Sequence, residues 1–102
     1  MDFEEQYQQI NAAIQAAQLV ATDSAQLTQL YSEGDKARAA YTKALNAQIS
    51  ASDQRLQGIV QELKTAAQAL ADQSEAQTQL VSYLGKIQTA VGCLAKLATY
   101  IA

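Results

Sequence analysis

Apolar and small side chains recur at alternating steps of four and three through Phe3, Tyr7, Ile10, Ile14, Ala17, Ala21 and Ser24. That rhythm lines one face of an α-helix, because residues three and four apart stack on the same side. Leu19, Val20, Leu27 and Leu30 widen the stripe. It then meets "YSEGDK", which contains the only glycine of the first half, Gly34, followed by Asp35 as an N-cap candidate. A turn is expected there. The opposite-charge pairs Glu33/Lys36 and Asp35/Arg38 stand three residues apart and favour the contrary outcome, an unbroken helix.

A second stripe runs Leu45, Ile49, Ser52, Leu56, Ile59, Leu63, Ala66 and Leu70, and stays in register through Gln73 and Gln77. It resumes as Leu80, Leu84, Ile87, Val91, Leu94, Ala98 and Ile101, so the whole is a heptad seam with a two-position polar gap. Unbroken, it would form a rod of roughly 85 Å at about 1.5 Å per residue. The gap "ADQSEAQTQ" offers a break, because Asp72 with Glu75 and Ser74 with Gln77 have the spacing of a capping box. Breaking at both places divides the chain into helices over about 3–33, 36–72 and 75–101. Short connections between helices of similar length predict an antiparallel three-helix, up-down-up bundle with coiled-coil-like packing. An extended helical hairpin or long coiled coil is the alternative.

Composition sharpens this picture. The chain has 102 residues, no proline and an abundance of alanine and glutamine, so an all-α fold in a single domain over 1–102 is expected. Hydrophobic residues make up 49%, but many are alanine, and the core is correspondingly thin per residue. The net charge of -3 is unevenly spread: residues 1–35 hold six acids and no base, while every lysine and arginine lies later. An acidic first helix lying against more basic later ones is one consequence of that division.

The chemistry that is missing narrows the function classes. With no histidine, the commonest general base, the commonest metal ligand and the usual nucleophile pairs are absent. The carboxylates fall in scattered clusters, Glu4/Glu5, Glu33/Asp35 and Asp72/Glu75, which read as helix ends and turns rather than as a catalytic or metal site. The four glycines are isolated, so no phosphate-binding loop is present and no cofactor is expected. Lys36, Arg38 and Lys43 do not share a face well, and no aromatic stacking platform accompanies them, which argues against nucleic acid. One cysteine excludes an internal disulfide framework and a multi-cysteine zinc site. The first residues are acidic where a signal peptide would be basic, so a cytoplasmic protein is expected, with non-classical export the alternative.

The last segment, "GKIQTAVGCLAKLATYIA", carries three further candidates. Gly85, Thr89 and Gly92 form a narrow stripe for close helix packing. Cys93 lies on the stripe Ser82, Lys86, Thr89, Cys93, Lys96 and Tyr100, opposite the leucine seam, where the Lys96 ammonium would favour a reactive thiolate. A membrane span is disfavoured by Lys86, Gln88 and Lys96.

The function expected is therefore a non-enzymatic protein–protein interaction module, self-associating through its heptad-patterned later helices. Leu56, Ile59, Leu63, Leu70, Leu80, Leu84, Ile87, Val91, Leu94 and Ile101 are the candidate interface or core seam. The alternatives are a small monomeric adaptor or inhibitor of one protein, and an exported or membrane-active helical protein. The exported reading rests on length, acidity and lack of proline, and the chain has no tryptophan for the Trp-x-Gly turn of the small helical hairpins that specialised bacterial secretion systems export.

Overall fold

A computed structural model describes residues 4–46 and 54–100. Every regular element in them is helical: α1 (Glu4–Val20), α2 (Ser24–Asn46), α3 (Gln54–Gln68), the single turn α4 (Glu75–Thr78) and α5 (Leu80–Tyr100). The helices lie side by side in a body of 43 × 21 × 16 Å.

The expected bounds 3–33 and 36–72 are both corrected. The chain turns at 21–23, not at Gly34. Asp23 caps α2: its carboxylate accepts a hydrogen bond from the Ala25 N–H at 2.7 Å, and its carbonyl accepts the first helical bond, from Leu27 N–H at 3.0 Å. This is the standard service of a short oxygen side chain to an orphan helix donor. Gly34 lies inside α2 with ordinary helical backbone, beside a Glu33–Lys36 ion pair at 3.9 Å. A lone glycine costs a helix about 1 kcal/mol, too little to end one that packs along its length. The second expected helix is divided too, since α2 ends at Asn46 and α3 begins at Gln54; Ile49 and Ser52 of the seam lie outside the described residues.

The expected break near residue 72 is present, but its capping boxes are not. Ser74 makes no side-chain cap; its hydroxyl and its N–H both donate to the Asp72 carboxylate instead. Backbone bonds from Glu75, Ala76 and Gln77 to the carbonyls of Asp72, Gln73 and Ser74 wind this segment into successive tight turns.

Two antiparallel hairpins result. In the first, the rings of Tyr7 on α1 and Tyr41 on α2 stack with centroids 4.3 Å apart and planes within 7°. In the second, three contacts set the register of α3 against α5. Arg55 lies over the Tyr100 ring at 5.3 Å, Glu62 pairs with Lys96, and the Tyr83 hydroxyl donates to the Leu70 carbonyl at 2.9 Å. Helices α1 and α5 each touch all the other helices that flank them, whereas α2 and α3 do not touch each other. The core follows from that arrangement. Ile10, Ala13, Ile14 and Ala17 of α1 meet Leu30, Ala37, Ala40 and Ala44 of α2, alanine-rich faces that let the two backbones approach closely. Tyr83, Leu84, Ile87, Ala90, Val91, Leu94, Leu97 and Ala98 cover a wide arc of α5, as a helix in contact with α1, α2 and α3 must.

Candidate docking face

Helices α3 and α5 each have two working stripes. On α3, Leu56, Ile59, Val60, Leu63 and Ala67 face the core. The opposite stripe is Gly58, Glu62, Thr65 and Ala69, spaced four, three and four apart. On α5 the corresponding outer stripe is Ser82, Lys86, Thr89, Cys93 and Lys96. Because short side chains fill most of these positions, a trough opens between the two helices on the molecule's outer side. One part of it, about 630 Å³, is lined by Gly58, Glu62, Thr65, Ala69, Thr89 and Cys93 among others. A second part, about 240 Å³, shares Ala66, Ala69 and Thr89 with the first and continues to Ser82, Gly85 and Lys86. The two hollows are therefore one trough several turns long.

Two ion pairs flank the trough. The Lys86 ammonium donates to both Glu75 carboxylate oxygens at 2.7 Å, and the Lys96 ammonium to Glu62 at 3.3 Å across the trough. The first pair is partly shielded and fixes the end of the second hairpin; the second is largely exposed and weak in its own right.

The sequence candidates fall as follows. Leu56, Ile59, Leu63, Leu70, Leu84, Ile87, Val91 and Leu94 are buried inside this chain, and Leu80 is partly buried against the same core. Leu45, on the same seam, is 61% exposed. Ile101 lies outside the described residues. The seam of α3 and α5 is thus covered by the chain's own α1 and α2.

At Gly85 and Gly92 an added Cβ would meet nothing within 4 Å, so no neighbouring helix of this chain packs closely against either. At Cys93 the lowering of the thiol pKa expected from Lys96 is reversed. Burial pushes the thiol pKa up and the Glu62 carboxylate adds to the rise, while the Lys96 ammonium, engaged by Glu62, lowers it less. Sequence reasoning overlooked the α3 half of the trough. Its signal was available in the small residues Gly58, Thr65 and Ala69 at helical spacing opposite the leucines.

Among the described residues, no three carboxylate or thiol side chains gather as a metal site, and no helix is long and apolar enough to cross a membrane. No family model, curated protein or solved structure matches the chain.

Proposed function

We propose that this chain is a non-enzymatic helical protein–protein interaction module that self-associates through its later helices, α3 and α5, and that its helices form an antiparallel bundle of the up-and-down type with coiled-coil-like packing. The observation that carries the reading is the trough between α3 and α5: small, largely apolar side chains several turns long on an outer face, bordered by charges of both signs. Large and flexible polar side chains would cost conformational entropy on being covered, and glycine, alanine and threonine cost little. The leucine seam, engaged inside the chain, leaves this opposite face as the one that meets another protein.

Cys93 supplies the test, since it lines the trough and is half-buried. The rate of its reaction with a small maleimide is measured at a trace concentration of protein, with and without a large excess of the Cys93→Ser variant. Self-association through this face slows the labelling as the excess rises. An unchanged rate removes the reading and makes a monomeric adaptor the better account.

A further inference from the structure

We infer that the occupant of the trough is a second copy of this chain, related by a two-fold axis that runs along the trough, so that α5 of each copy packs on α3 of the other. This rests on the self-association reading above and adds the geometry. The argument is charge complementarity. Across the trough, the acid Glu62 stands on α3 and the base Lys96 on α5 at the same height, 3.3 Å apart. A rotation of 180° about an axis along the trough exchanges the two walls without changing height. It sets Lys96 against Glu62 of the second copy, and Glu62 against its Lys96. At that height the interface then holds alternating charges, a square that relieves like-charge contact.

The other face-to-face arrangement has its axis across the trough. That rotation stacks α5 on α5 and reverses height, and it brings Lys86 towards Lys96 of the second copy, a like-charge contact at both ends. The small residues agree with the first arrangement. With the register set by Arg55 and Tyr100, Glu62 and Lys96, and Leu70 and Tyr83, Ala66 and Ala69 of one copy come level with Thr89 and Gly85 of the other, so short side chains meet short side chains there. Even the narrower long side of the molecule, 43 by 16 Å, is on the order of the ~800 Å² per partner that standard interfaces cover.

Charge reversal tests the axis. Glu62 and Lys96 are both more than half exposed, so Glu62→Lys and Lys96→Glu are compatible with the fold, which circular dichroism checks. Each variant alone is expected to weaken the dimer, raising its dissociation constant roughly tenfold, because two symmetry-related contacts change sign at once. Mixing the two variants restores association as a heterodimer, and the doubly reversed chain carrying both changes restores the homodimer. Sedimentation equilibrium reads all four samples. If the wild-type chain dimerises but mixing restores nothing, the axis is wrong and self-association stands. If Lys96→Glu tightens the dimer, the crossed arrangement is the true one. If the wild-type chain stays monomeric, both this inference and the reading beneath it fall.

Discussion

Replacing Tyr83 by phenylalanine isolates one buried hydrogen bond that holds the second hairpin together. The Tyr83 ring is fully buried, and its hydroxyl donates to the carbonyl of Leu70, where the chain has left α3 and not yet entered α4. The substitution keeps the ring and its packing. It removes the donor and leaves a carbonyl in the low-dielectric interior without this partner, which costs about 1–3 kcal/mol. For a domain of this size about 1 kcal/mol corresponds to roughly 4–8 °C in Tm, so a fall on the order of 10 °C is expected, with an unchanged urea m-value.

The difference also has a pH signature. Burial holds the Tyr83 pKa above its usual value, and the nearby carboxylates of Glu75 and Asp72 add to the rise. A group whose folded pKa is raised contributes its stability fully below the unfolded pKa, about 10 for tyrosine, and loses it as pH climbs towards the folded value. The stability gap between wild type and Tyr83→Phe is therefore flat through neutral pH and shrinks above about pH 10. Urea titrations of both proteins across that window decide the matter. A gap that is absent at neutral pH, or that widens at alkaline pH, refutes the assigned hydrogen bond.

Three further outcomes follow from the same structure. Gly34→Ala stabilises the protein by about 0.5–1 kcal/mol in thermal melts, because the residue is helical and an added methyl meets nothing; a loss of stability would put a turn back at Gly34. Leu63→Ala, at a fully buried position, costs about 2–5 kcal/mol, whereas Leu45→Ala on the same heptad stripe changes stability by less than about 0.5 kcal/mol; equal costs in urea unfolding would contradict the division of the seam. Glu62→Gln lowers the Cys93 pKa and speeds its alkylation near neutral pH, while Lys96→Met slows it; stopped-flow labelling at trace protein concentration checks the order.

Much of the fold is legible in the sequence because burial follows helical periodicity. Ile10, Ile14 and Ala17 on one stripe, and Leu56, Leu63, Leu84 and Leu94 on the other, are all core residues. Helix boundaries are less legible, because the competing local signals are each worth only about 1 kcal/mol. At 34 a glycine is outweighed by packing along α2 and a neighbouring ion pair. At 23 the capping residue is present in "ATDSAQ", with Gln26 at capping-box spacing, but no glycine or proline marks it. The trough was half legible. Its α5 wall follows from the stripe through Ser82, Thr89 and Cys93, whereas the partner of that wall depends on the hairpin register. Three tertiary contacts, Arg55 with Tyr100, Glu62 with Lys96 and Leu70 with Tyr83, set that register. Cys93 shows the same limit: Lys96 one turn away predicts a lowered thiol pKa, and burial in the folded chain, with Glu62 thirty-one residues earlier adding to it, reverses the sign.

The central claim is that the leucine seam closes the chain on itself and leaves the α3–α5 trough to a second copy. Light scattering across a dilution series tests it most directly. The account predicts a mass of twice 10.9 kDa at high concentration, falling to the single-chain mass on dilution and at high salt, where the exposed charges are screened. A constant mass of 10.9 kDa at every concentration contradicts it.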